Sequence, residues 1–412
     1  MVSRRQLLDV LVRLAPAAGA AALVPASARG ALTGGARSGV LARWGGADLA
    51  SSAPRAKYWA TVNTPGVTCQ ACHPGATAEF LGQRHGHDAA TVKCLLCAQG
   101  CAIAPGQRGR CRARQNVKGE LRSLVYGRPV TTHVDPIEKK PFYHFLPGAS
   151  ALSFGTVGCP LRCQFCQNWE ISQASPEDFD SPVVGAGQVA DAAVARQARV
   201  IAFTYNEPTV FTEYLLDVAA EARKRRTRSV LVSCGYMAEA PLADMCRALD
   251  AVKIDLKGFN EDFYQRVSGA ALAPVLRSIK QVAKSGVHLE IVNLVVPTLN
   301  DDERSIAALV KWLAGEVGPD VPVHFTRFHP DFQLRNLPPT PVATLERARA
   351  LAHDAGLHYA YVGNVPGHRF NHTYCPSCGK VVIERDGFFV AALRMKDGRC
   401  ESCRQPIKGV WS

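Results

Sequence analysis

The sequence predicts an α/β fold: a partial or open parallel (β/α) barrel with small cysteine-rich metal modules at both ends. Between residues 148 and 363, short apolar runs alternate with amphipathic stretches six or seven times, which is typical of repeated strand–helix units. All fifteen cysteines except Cys234 and Cys246 fall in tight clusters, which favours metal ligation over disulfides. With 47% apolar residues in 412, the chain can bury a full core.

Residues 1–28 are predicted to form a twin-arginine signal peptide. The run from Ser3 to Leu8 contains Arg4 and Arg5, an alanine-rich stretch follows, and Ala26-Ser27-Ala28 has the small-residue cleavage pattern. The alternative is a disordered or amphipathic N-terminus of a cytoplasmic protein. The apolar stretch is short, so we expect no membrane span. A functional signal would place the protein in the periplasm.

Residues 29–90 are predicted to form a linker followed by a CxxCH segment. Cys69, Cys72 and His73 have the spacing by which haem c is attached, with the histidine as an axial ligand. Covalent haem attachment takes place outside the cytoplasm, so this motif and the export signal agree. A zinc half-site and a disulfide are the alternatives.

Residues 91–147 contain the first complete cysteine module. Cys94, Cys97, Cys101 and Cys111 offer four thiolates in one short segment. They could close a tetrahedral zinc site or hold an auxiliary iron–sulfur cluster. In an exported chain, two disulfides are the competing interpretation.

Residues 148–363 are predicted to form the barrel core. Helices are expected at Phe211–Arg226, at Asp301–Ala314 with Asn300 as N-cap, and at Val342–Ala355. The predicted strands are Leu152–Val157, Val200–Thr204, Val230–Ser233, Ala251–Leu256, Leu289–Val296, Val323–Phe328 and Tyr359–Val362. In parallel barrels the chemistry lies at the carboxyl ends of the strands.

A three-cysteine loop follows the first of these strands. Cys159, Cys163 and Cys166 are spaced so that their thiolates can hold three irons of a 4Fe–4S cube, and Phe165 precedes the last of them. The fourth iron is then open to a small molecule that carries an amine and a carboxylate, as S-adenosylmethionine does. The alternative is a partial zinc site. Arg162 within the loop could raise the cluster potential or help to dock an acidic electron donor.

Polar residues follow other strands of the predicted barrel. Glu207 comes after the second strand, in a turn set by Pro208, and could accept a hydrogen bond from a substrate ammonium group. Lys253, Asp255 and Lys257 alternate along the end of the fourth strand, so their side chains share one face. Each could instead be an ordinary turn or cap residue.

Residues 364–412 are predicted to form a zinc-ribbon-like tail. Cys375 and Cys378 form one CxxC knuckle, and Cys400 and Cys403 form the other. Four thiolates in two knuckles are typical of a structural zinc site, which a segment with so few apolar residues needs in order to fold. Disulfides or reduced thiols are the alternative.

Several motifs together resemble a known family. They lie in order within residues 91–412, at Tyr126–Arg128, His133–Pro141, His144–Gly148, Gly158–Gln173, Tyr205–Thr209, Asp255–Lys257 and Gly363–Gly367. In these motifs the chain resembles the radical SAM enzymes of the AmmeMemoRadiSam system, relatives of the glycyl-radical (pyruvate formate-lyase) activating enzymes.

The resemblance implies a radical SAM fold, a 4Fe–4S cluster and S-adenosylmethionine (SAM). It implies that Cys159, Cys163 and Cys166 bind the cluster, with Phe165 beside the cofactors. Glu207 would contact the methionine amino group, and Asp255 and Lys257 would lie near the cofactor. Memo-like and AMMECR-type proteins and a low-potential electron donor are the implied partners, and the setting of this chemistry is cytoplasmic.

We therefore expect reductive cleavage of SAM to a 5′-deoxyadenosyl radical that abstracts hydrogen from an unknown substrate, and we assign no catalytic residue. One alternative is an activase of a glycyl-radical enzyme. Another is an exported multi-metal (haem and zinc) electron-transfer protein without radical chemistry. The net charge is +13, but the densest basic run, Arg223–Arg228, ends a predicted helix, so nucleic acid is not an expected partner.

Overall fold

A computed structural model describes residues 46–61 and 90–412. The predicted signal peptide at residues 1–28 and the CxxCH motif of Cys69, Cys72 and His73 lie outside the described residues. No helix in the described part of the chain has the length and apolar character needed to cross a membrane.

An eight-stranded sheet forms the centre of the molecule, and its strands lie side by side in chain order. The first pair is antiparallel and every later pair is parallel. The strands are β6 Thr131–Pro136, β7 Ser150–Gly155, β8 Val200–Phe203, β9 Arg228–Ser233, β10 Ala251–Asp255, β11 His288–Val295, β12 Val323–Arg327 and β13 Ala360–Gly363. The predicted α/β class with a large parallel sheet is confirmed.

All seven predicted parallel strands are present, with ends displaced by one or two residues. They are buried on both faces, which explains their nearly continuous apolar sequence. Strand β6 was not predicted, and it lies within the residues assigned to the four-cysteine module. Its side chains are partly or fully exposed and Pro136 ends it, as expected of an edge strand.

Helices connect the parallel strands and cover one face of the sheet. They are α2 Trp169–Ser172, α3 Ala186–Ala195, α4 Thr212–Lys224, α5 Glu239–Ala248, α6 Glu261–Phe263, α7 Leu272–Ser285, α8 Glu303–Glu316 and α9 Val342–Asp354, and α1 Gly46–Ser52 precedes them in the N-terminal region. Short 3₁₀ turns occur at Ile137–Lys139, Pro176–Asp178, Pro208–Phe211 and Arg369–Asn371, and a π-helical turn at Tyr264–Ser268.

The predicted N-cap Asn300 of helix α8 was wrong. Asp302 caps the helix, because its side chain accepts a hydrogen bond from Ser305 N at 2.8 Å. Asn300 instead accepts from Val296 N at 2.6 Å and donates to Lys257 O at 2.6 Å. It therefore ties the end of β11 to the loop after β10.

Residues 137–149 cover the amino-terminal part of the sheet's other face, and we call them the floor segment. Its Phe142 and Phe145 pack with Val200 and Ala251, the first residues of β8 and β10. The alternate residues of β10 further along the strand are Lys253 and Asp255. These point to the same face, so the floor segment leaves an open space above it at the carboxyl ends.

A buried carboxylate anchors the floor segment to strand β11. Glu290 accepts hydrogen bonds from Tyr143 N at 2.9 Å and His144 N at 2.8 Å, and His324 Nε2 lies 2.7 Å from its second oxygen. Burial alone raises the pKa of Glu290, but hydrogen bonds from His288 and His324 outweigh burial and hold that pKa well below the usual range. Glu290 is therefore ionised and fully hydrogen-bonded.

Two small modules flank the barrel. The N-terminal module contains β1 Trp59–Thr61, β2 Val92–Cys94, β3 Ala102–Ile103, β4 Arg114–Val117 and β5 Glu120–Ser123. The C-terminal ribbon contains β14 Thr373–Tyr374, β15 Val381–Asp386, β16 Phe389–Leu393, β17 Met395–Lys396 and β18 Arg399–Cys400. The ribbon packs on the floor segment, where Arg385 donates to Tyr143 O at 2.8 Å and Val410 N donates to His144 O at 2.8 Å.

Replacement of the anchoring carboxylate tests this account. Glu290→Gln is expected to lower the free energy of unfolding by about 2–4 kcal/mol, because the new amide N–H₂ meets donors that need an acceptor. Urea unfolding followed by circular dichroism measures it. Glu384→Gln, which alters an exposed carboxylate of the ribbon, is the control and should stay within about 0.5 kcal/mol of wild type. Equal stability of both variants would contradict the anchoring role.

Candidate cofactor site at the carboxyl ends of the strands

A cavity of about 400 Å³ opens at the carboxyl ends of the parallel strands, above the floor segment. Its volume is in the range of small-molecule binding sites. The residues expected to bind the cluster and SAM all contribute to its lining: Cys159, Cys163, Phe165, Cys166, Glu207, Asp255 and Lys257. The structure therefore brings together side chains from three separate strand ends.

Two glycines set the path of the three-cysteine loop. A Cβ atom at Gly155, the last residue of β7, would lie 2.6 Å from Thr204 O. Gly158 has φ +94°, and a Cβ there would lie 2.3 Å from Cys111 O. Asn206 Nδ2 donates to Gly158 O at 2.9 Å, which fixes the start of the loop.

The π-helical turn and a basic side chain hold the rest of the loop. Arg162 N donates to Ser268 O at 2.8 Å, and Gln164 N donates to Val267 O at 2.9 Å. The Arg162 guanidinium donates to Cys159 O at 2.9 Å. The backbone around the cysteines is thus fixed by hydrogen bonds to residues far away in sequence.

The three thiols face the cavity without closing around one small ion. Burial is the largest cause that raises the pKa of each. Repulsion from Glu207 and Cys163 adds to it at Cys159, and repulsion from Cys166 adds to it at Cys163. At least one pair of these sulfurs is more than 4.8 Å apart, because among the described residues only the ribbon cysteines form a group within that distance. Three spaced thiolates at a cavity wall fit three corners of an iron–sulfur cube.

Phe165 and Lys257 lie together beside the thiols. The Phe165 ring stacks on Phe263, with centroids 6.3 Å apart, and Lys257 Nζ lies 5.6 Å from the Phe165 centroid. Lys257 is buried next to Cys163, and its charge lowers the pKa of that thiol against the larger effect of burial. The ammonium can therefore offset negative charge that a thiolate-bound cluster brings into the cavity.

Asp255 lies between two lysines, as the alternation of residues in β10 predicts. Its carboxylate forms ion pairs with Lys253 and Lys257, the latter at 3.5 Å. Burial alone would raise the pKa of Asp255, but the two lysines outweigh burial and lower the pKa. Burial lowers the pKa of Lys257, but Asp255, together with smaller contributions from Cys163, Cys234 and Tyr264, outweighs burial and raises that pKa.

The Glu207 carboxylate lies deep in the cavity wall. Its Oε1 accepts hydrogen bonds from Thr209 N at 3.1 Å, Thr209 Oγ1 at 2.6 Å and Ser233 Oγ at 2.7 Å. Of the N–H and O–H donors in the described part of the chain, only Cys234 N reaches Oε2, at 2.7 Å, and the weakly donating Cys234 thiol also contacts this carboxylate. A carboxylate oxygen accepts about two hydrogen bonds, so Oε2 retains a lone pair for a ligand donor.

The cavity also contains residues that the sequence did not single out as site residues. Lys140 comes from the floor segment and lies 4.8 Å from the centroid of the Tyr205 ring. His324 and Thr326 alternate along β12, and that alternation was a usable signal. Phe388 comes from the ribbon hairpin, more than sixty residues further along the chain than His324, and no local pattern points to it.

The ribbon cysteines form a compact group. The sulfurs of Cys375, Cys378, Cys400 and Cys403 all lie within 4.8 Å of one another. Cys375 Sγ lies 3.5 Å from Cys403 Sγ, and Cys378 Sγ lies 3.8 Å from Cys400 Sγ. A tetrahedral zinc ion with bonds of 2.3 Å requires sulfurs about 3.8 Å apart, so these distances fit zinc.

The cysteines of the N-terminal module also come together. Cys94 N donates to Cys101 O at 2.9 Å, the Cys111 carbonyl lies against Gly158 of the three-cysteine loop, and no disulfide links any of the thirteen cysteines in the described part of the chain. The disulfide alternatives for this module and for the ribbon therefore find no support in the structure.

Comparison with known proteins identifies the family. Residues 154–310 match the description of the radical SAM superfamily. The uncharacterized protein MJ0808 of Methanocaldococcus jannaschii is 40% identical over 318 residues, which cover 77% of this chain and 95% of that protein. This chain belongs to the radical SAM superfamily. It is an enzyme that uses a 4Fe–4S cluster and SAM.

More distant radical SAM relatives include activating enzymes. The pyruvate formate-lyase-activating enzyme of Clostridium pasteurianum is 24% identical over 169 residues, which cover 40% of this chain and 68% of that enzyme. A solved domain of a pyruvate-formate lyase-activating enzyme from Bacteroides vulgatus is 18% identical with a TM-score of 0.36. The match covers 40% of this chain and 98% of that domain.

The close approach at Gly155 can be tested by adding one methyl group. Gly155→Ala is expected to lower the free energy of unfolding by about 1–3 kcal/mol, because the methyl would displace Thr204 or the cluster loop. Gly315→Ala in helix α8 is the matched control, since no atom lies within 4 Å of the added Cβ. That change should be neutral or stabilise by up to about 1 kcal/mol. Denaturant unfolding of both variants gives the comparison, and equal effects would refute the steric argument.

Proposed function

We propose that Cys159, Cys163 and Cys166 bind the 4Fe–4S cluster and that SAM occupies the cavity beside it. The observation that carries this proposal is the shared cavity lining, which joins the three thiols to Glu207, Asp255 and Lys257. When bound and reduced, the cluster supplies one electron that breaks the S–C5′ bond of SAM, giving methionine and a 5′-deoxyadenosyl radical that takes hydrogen from the substrate.

Glu207 orients the methionine end of SAM in this proposal. Its Oε1 is saturated by Thr209 and Ser233, so the carboxylate cannot rotate freely. Its Oε2 keeps an acceptor position that an ammonium group can fill. A charged acceptor in a buried wall favours a cation over a neutral group.

The charged residues of β10 and the aromatic pair shape the rest of the site. Lys257 remains protonated and compensates the negative charge of the thiolates, and Asp255 holds Lys257 in place. Phe165 and Phe263 form an apolar wall next to them. The floor segment closes the far end, so the protein limits the access of water to a reactive radical.

Formation of 5′-deoxyadenosine tests the proposed site. The protein, reconstituted without oxygen with iron and sulfide, is mixed with SAM and dithionite, and 5′-deoxyadenosine is measured by mass spectrometry. Cys163→Ala is expected to reduce the product to background, because one iron of the cube loses its ligand. Cys246→Ser, which alters a cysteine of helix α5 outside the three cysteine clusters of the described residues, is the control. Full activity of the Cys163→Ala variant would exclude this loop as the cluster site.

We also propose that the enzyme belongs to the AmmeMemoRadiSam system and acts with Memo-like and AMMECR-type proteins. The ordered motifs support this, especially His133–Pro141 and Gly363–Gly367, since both regions reach the cavity lining. Size-exclusion chromatography of the three purified proteins is the test, with co-elution expected. Separate elution in the presence of SAM would contradict a stable complex.

We propose zinc as the metal of the C-terminal ribbon. The support is the tetrahedral spacing of its four sulfurs. Burial raises the pKa of Cys400, but the N–H groups of Cys403 and Ser402 outweigh it and lower that pKa to about 7, which favours a thiolate. Metal analysis that finds no zinc in the purified protein would contradict this assignment.

A further inference from the structure

The four-cysteine module was compatible with zinc, with disulfides and with an iron–sulfur cluster on sequence grounds, and the structure separates these possibilities. All four cysteines are described and none is in a disulfide. The backbone brings them together: Cys94 N donates to Cys101 O at 2.9 Å, a turn from Cys97 to Gly100 leads into Cys101, and Arg110 N, next to Cys111, donates to Cys101 Sγ at 3.5 Å. The module is therefore a preformed set of four sulfur ligands.

The spacing of these sulfurs differs from that of the zinc-like ribbon. No three of them lie within 4.8 Å of one another, whereas all four ribbon sulfurs do. Zinc with bonds of 2.3 Å holds its sulfurs about 3.8 Å apart. The module shares its wider spacing with the three-cysteine loop, whose sulfurs also converge without closing to 4.8 Å. The larger iron–sulfur cube fits such a set.

Hydrogen bonds within the module partly offset the burial that raises the pKa of Cys94, Cys97 and Cys111. Backbone N–H groups point to each sulfur: those of Leu96, Gln99, Arg110 and Ala113 face Cys94, Cys97, Cys101 and Cys111, respectively. Such hydrogen bonds stabilise metal-bound sulfur and tune the potential of a cluster.

A buried cation adds to this effect. The Arg114 guanidinium is fully buried, forms an ion pair with Glu213 of helix α4, and lowers the pKa of Cys94 and Cys111 against the larger effect of burial. Its Nε has no hydrogen-bond partner in the described part of the chain.

The module is in direct contact with the three-cysteine loop. The Cys111 carbonyl lies where a Cβ of Gly158 would be, one residue before Cys159. Arg162 Nη2 donates to Arg110 O at 2.6 Å, and Arg110 Nε donates to Pro160 O at 3.1 Å. The backbone segments that carry the two sets of cysteines are therefore in contact with each other.

We propose that Cys94, Cys97, Cys101 and Cys111 hold a second iron–sulfur cluster that passes electrons to the three-cysteine site. With such a cluster bound, a low-potential carrier protein would lose one electron to the module, the module would pass that electron to the three-cysteine site, and SAM would be the final acceptor. The ligand set does not depend on the proposed function, but the relay role does.

Basic side chains mark the junction of the two sites. Arg162 lies close to Arg110, because it donates a hydrogen bond to Arg110 O. Burial, and then the charges of Arg112 and Arg110, lower the pKa of Arg162. Arg110 is exposed. A cationic surface at the module attracts an acidic carrier, which gives the relay an entry point.

Metal content separates this proposal from the function of the three-cysteine loop. In the triple variant Cys159→Ala, Cys163→Ala, Cys166→Ala, reconstituted with iron and sulfide, we expect about four irons per chain, against about eight in wild type. Iron and sulfide assays with zinc analysis measure this. A triple variant with no iron and with about two zinc ions per chain, one in the module and one in the ribbon, would overturn the proposal whether or not wild type cleaves SAM.

Further substitutions assign the remaining iron. Adding Cys97→Ser and Cys111→Ser to the triple variant should remove it, whereas adding Cys246→Ser should not. Circular dichroism checks that each protein is folded. If the double change prevents folding, the triple variant is combined instead with Cys101→Ser, which alters a partly buried cysteine. The electron paramagnetic resonance spectrum of the reduced cluster is then expected to change. An unaltered spectrum would exclude Cys101 as a ligand and overturn the four-cysteine assignment.

The relay role has its own spectroscopic readout. In dithionite-reduced wild type, two neighbouring paramagnetic clusters should broaden each other's resonance, and the triple variant should show the narrower spectrum of the module alone. A wild-type spectrum equal to the sum of two isolated clusters would refute the relay while leaving the metal site in place.

Discussion

The buried carboxylate of Glu290 holds the floor of the cavity, and the site at the carboxyl ends depends on that floor. A parallel sheet with helices on one face has a second face that must be covered. Here the floor segment covers the amino-terminal half, and the other half stays open for ligands. Without the hydrogen bonds from Tyr143 and His144 to Glu290, the segment would leave polar backbone groups buried and unpaired.

Charge compensation is the second organising feature of the site. Thiolates and carboxylates are concentrated around the cavity, and each is matched by a cation or by oriented N–H groups. The positive charge of Lys257 interacts with Cys163 and Asp255, and that of Arg114 interacts with Cys94 and Cys111. Buried ions of one sign are costly, so these cations keep the Asp255 carboxylate ionised and partly offset the burial that raises the pKa of the thiols.

Local sequence signals predicted much of this arrangement. The seven parallel strands follow from continuous apolar runs, and the seven candidate site residues chosen from motifs and strand ends all line one cavity, although their roles stay predictions. The failures concern features that depend on distant contacts. Asp302 rather than Asn300 caps helix α8, because Asn300 is engaged by Val296 and Lys257.

Long-range packing also explains what sequence reasoning missed entirely. Strand β6 lacks the alternation or run of apolar residues that predicts a strand, since it is an edge strand with partly or fully exposed side chains. Phe388 reaches the cavity only because the ribbon docks on the floor segment. Similarly, the spacing of the module's sulfurs is a property of their packing against the barrel, and cysteine intervals in a sequence do not encode it.

The docking of the ribbon has a consequence for biosynthesis. Val410 pairs with His144 and Leu146, so the ribbon completes a layer that begins more than 260 positions earlier in the chain. The N-terminal portion leaves the ribosome first, before the residues that pack against it have been synthesised. The nascent chain therefore cannot complete this layer until Val410 has been synthesised, and removal of the segment around Val410 would deprive the backbone of His144 and Leu146 of these hydrogen bonds.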